Sequence, residues 1–388
     1  MITKTLALAA LALAPLAAQK FEGLAPTPPM GWNSWNTFQG KISESLIKEA
    51  ADALISSGMQ AAGYRYVVVD DGWEAPERDA QGNLVADPER FPHGMKALGD
   101  YLHAKGLKFG IHNCAGTKTC AGLPGGRGHE FQDALSYASW GVDYLKYDWC
   151  NHGTANSQET YNTMRDAIRA AGRPIVFSLC EWGDTKPWTW AKDTGHLWRT
   201  TGDIMDCYDC QGAYSLGWKF ILESEADLAQ YAGPDHWNDP DMLEVGNPGL
   251  TPAESRAHFT LWAMLAAPLM AGNDPRKMSE ETRQILTNRE VIALDQDPLG
   301  KQATRFMKHV GKQIWAKELA NGEWAVCFFN DSDTPVQLRI DWANLTFLKG
   351  TYRIRDIWQK KDLGQTSTGF EAPLAPHDVV LVRLSPVS

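Results

Sequence analysis

The sequence lacks several features that would assign it to other classes of protein. After residue 18, no apolar run reaches the roughly 18 residues that a membrane-spanning helix needs. No glycine-rich phosphate-binding turn follows a strand-like run, which counts against an open dinucleotide-binding sheet. No block of like charges occurs, and 37 basic residues stand against 47 acidic ones, for a net charge of -10. This balance argues against a general nucleic-acid binder, which usually presents a basic face.

Cysteine is sparse, with seven among 388 residues, and an odd count leaves at least one thiol unpaired. Cys207 and Cys210 form a C-x-x-C pair, but neither a second such pair nor a histidine pair accompanies it. A zinc site is therefore disfavoured, and a local disulfide is the default interpretation. Tryptophan, in contrast, is abundant at 16 residues, so many of these side chains are expected to line a core or a cleft.

Residues 1–18 are typical of an export signal. Lys4 supplies the positive start, and an apolar run follows from Leu6 to Ala18. A buried N-terminal helix is the alternative, which Pro15 disfavours because proline interrupts a helix. We therefore expect cleavage near Ala18 and a secreted or periplasmic protein.

Residues 19–299 show a repeated alternation of strand-like runs and helix-compatible stretches. The eight runs are Met30–Trp35, Tyr64–Asp71, Leu107–Asn113, Val142–Asp148, Ile175–Glu181, Leu197–Asp203, His236–Asp239 and about Leu265–Gly272. Between the first two, apolar residues recur at helical spacing over Ser45–Gly58. Eight β/α units in about 250 residues predict a (β/α)₈ TIM barrel, with an open doubly wound sheet as the rival.

Residues 300–388 have a different character. Short alternating runs separated by turns replace the helical periodicity: Gln313–Glu318, Glu323–Asn330, Val336–Ile340, Tyr352–Asp356 and Val379–Leu384. Such spacing predicts a C-terminal antiparallel β-sandwich domain that begins near residue 300.

Acidic residues lie repeatedly where the predicted barrel strands end: Asp70, Asp71, Asp148, Glu181, Asp203, Asp239 and Asp241. At the mouth of a barrel they would converge and repel one another, so they need a functional role. A metal site is one possibility, and the paired carboxylates of glycoside hydrolysis are another. Tryptophans beside the same strand ends favour a carbohydrate, whose C–H faces are apolar. The group comprises Trp32, Trp35, Trp73, Trp149, Trp182 and Trp237.

At these residues the chain resembles the α-galactosidases of the melibiase type, glycoside hydrolase family 27. The matching segments are TPPMGWNSWN at 27–36, DDGW at 70–73, TCAG at 119–122, YLKYD at 144–148, CEWG at 180–183 and WNDPDML at 237–243. They occur in the family order and cover the whole barrel. The resemblance implies a retaining exo-glycosidase that removes terminal α-D-galactosyl residues and needs no cofactor or metal.

The resemblance also assigns roles to individual residues. Asp148 matches the nucleophile and Asp203 the general acid/base, whereas Cys120 and Cys150 match a disulfide. The remaining matches are to substrate-binding positions: Trp35, Asp70, Asp71, His112, Lys146, Cys180, Trp182, Arg199 and Met242. Among these, Asp70 with Asp71 would bind the 4-hydroxyl and 6-hydroxymethyl groups, and Cys180 with Trp182 would exclude a 2-N-acetyl group. Lys146 would also keep Asp148 ionised.

Two departures from the family pattern stand out. His112 replaces a tyrosine of many relatives, and Gly40 and Gly72 occupy positions that are paired cysteines in many relatives.

Five other functions compete with an α-galactosidase, and the most distant of them is a metal-dependent hydrolase. Three share its fold: an α-N-acetylgalactosaminidase, a β-L-arabinopyranosidase and an isomaltodextran-degrading enzyme. The fourth is a catalytically dead carbohydrate-binding protein, which the presence of both acids disfavours. The expected partner is an α-galactoside rather than a nucleic acid or a membrane, and the oligomeric state is open.

Overall fold

The computed structural model describes residues 19–387, so the predicted export signal lies outside the described residues. Eight parallel strands form the first sheet: Met30–Asn33, Tyr66–Val69, Lys108–Cys114, Tyr144–Asp148, Val176–Cys180, Leu197–Arg199, Trp237–Asp239 and Leu269–Ala271. The first and eighth strands pair directly. Between the seventh and eighth, the sheet closes through a parallel bridge from Leu243 to Ala271. The predicted (β/α)₈ barrel is thereby confirmed.

Helices of two to four turns cover the outside of this barrel. They are Glu44–Ser56, Gly94–Ala104, Glu130–Trp140, Ser157–Ala171, Trp218–Glu225, Pro252–Met264, Glu280–Leu286 and Arg289–Asp295. The first of them shows why the sequence forms a helix there. The Ser43 side chain accepts the Leu46 N–H at its N-terminus, and the apolar face that includes Ile47 and Leu54 is fully buried.

The prediction of eight regular β/α units was wrong at the fifth connection. Only two 3₁₀ turns, Pro187–Thr189 and Ala191–Asp193, join the fifth strand to the sixth.

Two predicted strand ends were also wrong. The sixth strand stops at Arg199, and Asp203 begins a separate strand, Asp203–Ile204, that pairs in parallel with Ser215–Leu216. The eighth strand begins only at Leu269, because the preceding residues complete the helix Pro252–Met264 and its turn.

The C-terminal part forms an antiparallel β-sandwich, as predicted. Six strands make the main sheet: Thr304–His309, Lys312–Glu318, Trp324–Asn330, Val379–Pro386, Tyr352–Asp356 and Lys361–Gln365. Val336–Ile340 pairs with Phe370–Leu374 as a second layer. Sequence analysis missed three of these strands, because Thr304–His309 and Lys361–Gln365 are largely exposed and Phe370–Leu374 contains a proline.

The helix Pro252–Met264 connects the two parts, since it is buried along nearly its whole length. Trp315, Phe329 and Leu381 of the main sheet belong to the same apolar core as this helix. We keep the predicted boundary near residue 300 as a proposal; it falls between the helix Arg289–Asp295 and the strand Thr304–His309. No helix among the described residues is long and apolar enough to cross a membrane.

Candidate active site

A cavity of about 630 Å³ opens at the carboxyl ends of the barrel strands. Ten of the residues that the sequence predicts for the site line it: Trp35, Asp70, Asp71, His112, Cys120, Lys146, Asp148, Cys150, Trp182 and Asp203. The other three, Cys180, Arg199 and Met242, line a second cavity of about 20 Å³, which shares Lys146 with the first. Ten of the predicted residues therefore line the larger cavity, and the other three line a smaller cavity next to it.

The fourth strand delivers Asp148 to this cavity. Strand residues two apart share a face, so Lys146 and Asp148 project to the same side. Asp148 is in register with Cys180 of the fifth strand, and the Cys180 Sγ lies 3.5 Å from Asp148 Oδ2. Asp148 Oδ1 accepts the N–H of Trp149 at 2.8 Å. Its second oxygen, Oδ2, accepts a hydrogen bond from the Cys180 thiol and lies 3.4 Å from His112 Nε2.

Asp148 carries a negative charge at neutral pH. Burial by itself raises the pKa of this carboxyl, but His112 and Lys146 outweigh that effect and hold it below its ordinary value. His112 Nε2 lies 3.4 Å and Lys146 Nζ 3.9 Å from Asp148 Oδ2. An ionised, oriented carboxylate that lines a cavity has the properties of a nucleophile.

Asp70 and Asp71 line the same cavity, directly after the second strand. Asp70 Oδ2 accepts hydrogen bonds from Lys146 Nζ at 2.9 Å and from Asn33 Nδ2 at 2.7 Å. Burial opposes its ionisation, yet Lys146 and His112 hold the pKa of Asp70 well below its ordinary value. Asp71 Oδ2 accepts the Ala121 N–H at 2.7 Å, and its other oxygen has no partner within the described residues. Two buried carboxylates with acceptor capacity suit the hydroxyl groups of a sugar.

Asp203 lies on a separately built segment. Its N–H donates to the Tyr214 carbonyl at 3.2 Å, and the next N–H, from Ile204, donates to Asp241 Oδ2 at 2.8 Å. Arg199 Nη2 lies 3.1 Å from Asp203 Oδ1 and 2.9 Å from Asp241 Oδ2. Asp241 and Arg199 thus fix both the backbone and the carboxyl of Asp203, although that carboxyl is 53% exposed toward the cavity.

The pKa of Asp203 is shifted in the opposite direction from that of Asp148. Partial burial of the carboxyl raises the pKa of Asp203, and the nearby carboxylates of Asp241 and Asp148 add to this effect. Arg199 works against it without cancelling it. Two carboxyl groups in one cavity, one held ionised and the other held protonated to higher pH, match the requirements of a nucleophile and a general acid.

The loop after the third strand is held against the site by a disulfide. Cys120 and Cys150 are joined, with their Cα atoms 5.2 Å apart, and both line the cavity. This bond fixes the segment whose Ala121 N–H binds Asp71. The structure also joins Cys207 with Cys210, and Cys114, Cys180 and Cys327 are buried free thiols.

Comparison with known proteins places this arrangement in a family. The family model described as "Alpha galactosidase A" matches residues 27–297, and "Alpha galactosidase C-terminal beta sandwich domain" matches residues 310–384. The chain belongs to glycoside hydrolase family 27, the melibiase-type α-galactosidases.

Individual relatives agree over almost the full length. The chain is 52% identical to "Alpha-galactosidase A" of Cellvibrio japonicus over 384 residues, which cover 95% of this chain and 94% of that protein. The crystal structure of α-galactosidase I from Mortierella vinacea superposes with a TM-score of 0.90 at 37% identity, covering 95% of this chain and 99% of that one. A Saccharomyces cerevisiae α-galactosidase with raffinose gives 0.90 at 30% identity, with 95% and 100% covered.

One departure from the melibiase pattern has a simple structural explanation. Gly72 has a positive φ of 103°, and a Cβ placed on it would lie 2.9 Å from the Cα of Gly40. The two glycines are therefore in contact, as positions of a family disulfide must be. Both cysteines are absent here, and the glycine pair lets the two backbones approach closely.

His112 is the departure with chemical consequences. Burial favours the neutral ring, but Asp70, Asp148 and Asp71 outweigh it and raise the pKa of His112 to about 9. At neutral pH this melibiase-type site thus contains an imidazolium. Its Nε2–H points to Asp148, and its Nδ1 has no hydrogen-bond partner among the described residues.

Replacement of His112 should change the acidic limb of the pH–activity profile. In His112→Phe, Asp148 loses a hydrogen-bond donor and a neighbouring cation that both lower its pKa, so the pKa of Asp148 should rise. The acidic limb of kcat/KM should then move to higher pH, and His112→Tyr should move it less because the hydroxyl can still donate. A pH profile on one α-galactoside measures this.

His129→Phe provides the control, because His129 is partly buried but does not line the cavity. An unchanged acidic limb in His112→Phe would show that His112 does not act on Asp148.

Sequence analysis assigned no role to Glu74, which lies behind the sugar pocket. Glu74, Asp71 and His112 each place a ligand-type atom within 4.8 Å of the others, which makes them a possible metal cluster. However, burial raises the pKa of Glu74 to about 8, and the pKa of His112 is about 9. At neutral pH the His112 ring is therefore protonated, and a protonated imidazole has no free lone pair for a metal.

Asp241, Asp184 and Tyr214 were also missed as site residues. Asp241 was visible as a strand-end acid, but its contacts with Arg199 and Ile204 depend on the tertiary fold. Asp184 and Tyr214 line the cavity from loops that carry no periodic signal.

Proposed function

We propose that this chain removes terminal, non-reducing α-D-galactosyl residues from oligosaccharides by double displacement, with Asp148 as nucleophile and Asp203 as general acid and base. The observation that carries the proposal is the pair of opposite pKa shifts at two carboxyl groups that line one cavity. Family membership supports the reaction class, and the relative with raffinose supports an oligosaccharide substrate.

In the first step, Asp148 attacks the anomeric carbon while Asp203 donates its proton to the glycosidic oxygen. Lys146 and His112 maintain the charge on Asp148 before the attack. In the second step, Asp203 takes a proton from water, and this water displaces Asp148 from the same face that the leaving group occupied. Two inversions give net retention, so α-galactose is the first product.

Recognition of galactose is assigned to the walls of the cavity. Asp70, Asp71 and Lys146 supply acceptors and donors for the 4-hydroxyl and 6-hydroxymethyl groups, and Trp35 offers an apolar face. L-arabinopyranose lacks the hydroxymethyl group, so it would leave part of this polar wall unpaired. Arg199, Met242 and Cys180 support the sugar site from the smaller cavity.

Trp182 is proposed to exclude substituents at the 2-position. It lines the cavity with a positive φ of 59°, an uncommon conformation for a large residue that commonly marks a functional site. Cys180 lies beneath it, between Asp148 and Arg199. Their bulk beside the nucleophile is proposed to block an N-acetyl group at the 2-position.

A panel of 4-nitrophenyl glycosides tests the proposed substrate. The wild type should strongly prefer the α-galactoside to the α-N-acetylgalactosaminide and the β-L-arabinopyranoside. Trp182→Ala should raise kcat/KM for the α-N-acetylgalactosaminide relative to the α-galactoside by about tenfold or more, since it removes a steric block. Cys180→Ala should act in the same direction with a smaller effect.

Trp188→Ala is the matched control, because Trp188 lies on the same connection but outside the cavity lining. A wild type that hydrolyses both α-linked substrates equally well would refute the steric assignment, and one that prefers another glycoside would refute the proposed substrate.

We also propose that the protein is exported. The apolar run after Lys4 supports this proposal, as does the Cys120–Cys150 disulfide, because such bonds persist in oxidising compartments. N-terminal sequencing of the mature protein, with a start near residue 19, would test it.

A further inference from the structure

Tyr214 stands at the mouth of the cavity with its side chain almost fully in solvent. It is 90% exposed, more than any other large hydrophobic residue in residues 19–387, and it lines the catalytic cavity. Exposure of the Tyr214 ring to water is unfavourable, and the ring suits a ligand that has an apolar face of its own.

The backbone holds Tyr214 at a fixed position relative to Asp203. The Tyr214 carbonyl accepts the Asp203 N–H at 3.2 Å, and Ser215–Leu216 pairs in parallel with Asp203–Ile204. A Cβ on Gly202 would lie only 2.7 Å from the Tyr214 oxygen, so glycine is required for this approach.

A disulfide and backbone hydrogen bonds constrain the segment before Tyr214. Cys207 is joined to Cys210, and the Gly217 N–H donates to the Cys210 carbonyl at 2.8 Å. The Gly212 N–H donates to the Ser215 carbonyl, also at 2.8 Å, which turns the chain at Tyr214. The ring is therefore presented by a constrained loop rather than by a free one.

The position of the general acid defines which side of the cavity Tyr214 serves. Asp203 protonates the glycosidic oxygen, and everything beyond that oxygen belongs to the leaving group. The groups assigned to galactose are deep, with Asp70 and Asp71 each 1% exposed, whereas Tyr214 is at the solvent edge beside the acid. Tyr214 is thus on the leaving-group side.

We propose that Tyr214 forms a subsite for the sugar ring linked to galactose, stacking on its C–H face, with exposed Asp184 accepting its hydroxyl groups. Asp184 lines the same cavity on the connection that follows Trp182. The inference rests on the proposed function and assigns to Tyr214 and Asp184 the binding of the leaving-group sugar of an oligosaccharide. Leaving groups without a ring face would gain nothing from this subsite.

The test compares melibiose, whose leaving group is glucose, with methyl α-galactoside, whose leaving group has no ring. In Tyr214→Ala, the ratio of kcat/KM for melibiose to that for methyl α-galactoside should fall roughly tenfold, mainly through KM, because the stacking contact is lost. Tyr214→Trp should keep the ratio, since indole offers a comparable face.

Phe131→Ala is the control, because Phe131 is 52% exposed and lies on the helix Glu130–Trp140 outside the cavity lining. It should leave the ratio unchanged. An equal loss on both substrates in Tyr214→Ala would mean that Tyr214 only supports Asp203, and it would overturn the subsite while leaving the proposed function intact. No hydrolysis of either substrate by the wild type would instead overturn the proposed function.

Discussion

Asp148→Ala should abolish turnover on every galactoside, with kcat reduced by at least roughly 10⁵-fold, the scale seen when a two-step hydrolase loses its nucleophile. The expected loss is uniform, because no covalent intermediate can form however good the leaving group is. Steady-state rates on melibiose and on 4-nitrophenyl α-galactoside measure it.

Two controls separate chemistry from folding in this variant. Asp184→Asn removes a carboxylate from the cavity rim without touching Asp148, and it should retain most activity on the 4-nitrophenyl substrate. Thermal unfolding of Asp148→Ala should remain cooperative. Residual activity on activated substrates that approaches the wild type would exclude Asp148 as the nucleophile.

Asp203→Ala should give a different pattern, in which the loss depends on the leaving group. Melibiose, whose alkoxide needs a proton to depart, should lose about 10²–10⁴-fold, the usual contribution of a general acid. 4-Nitrophenyl α-galactoside should lose much less in the first step, since 4-nitrophenolate departs without protonation. A comparison of kcat/KM across leaving groups of different pKa measures this dependence.

Azide distinguishes the two carboxylates by stereochemistry. In Asp203→Ala, azide should displace Asp148 from the galactosyl-enzyme and give α-galactosyl azide after two inversions. In Asp148→Ala, azide that enters the vacated space attacks the substrate directly and gives the β-anomer. Equal losses on activated and unactivated substrates in both variants, or the opposite anomers, would show that the two roles are assigned wrongly.

The sequence predicts the barrel and its cavity well because parallel strands place their ends at one mouth. Asp70 and Asp71 come directly after the strand Tyr66–Val69, and Asp148 is the last residue of the strand Tyr144–Asp148. Along each strand, successive side chains point to opposite faces of the sheet. Once the eight runs are recognised, the convergence of these carboxylates is a consequence of the fold.

Asp203 shows where this reasoning ends. It was predicted at the end of the sixth strand, but that strand stops at Arg199 and the acid lies on a separate pair of short strands. Its position depends on Asp241 and on the Tyr214 carbonyl, and both lie well beyond the sixth strand in the sequence. No periodicity in residues 200–217 encodes these contacts.

The charges of the site were also only partly predictable. The proximity of Lys146 to Asp148 follows from strand alternation, so the ionised nucleophile could be expected. The charge of His112 could not, because its pKa depends on three carboxylates, two of them on a neighbouring strand end, and on complete burial. Burial and neighbours act in opposite directions there, and only the folded structure decides the outcome.

Covalent trapping tests the central claim most directly, namely that Asp148 forms the galactosyl-enzyme. The wild type should be incubated with a fluorinated α-galactoside that carries an activated leaving group, so that the intermediate forms but turns over slowly, and then digested for peptide mass mapping. The account predicts one fluorogalactosyl adduct, on the peptide that contains Asp148, and none in Asp148→Ala. An adduct on Asp203 or Asp241, or labelling of Asp148→Ala at the wild-type rate, would contradict it.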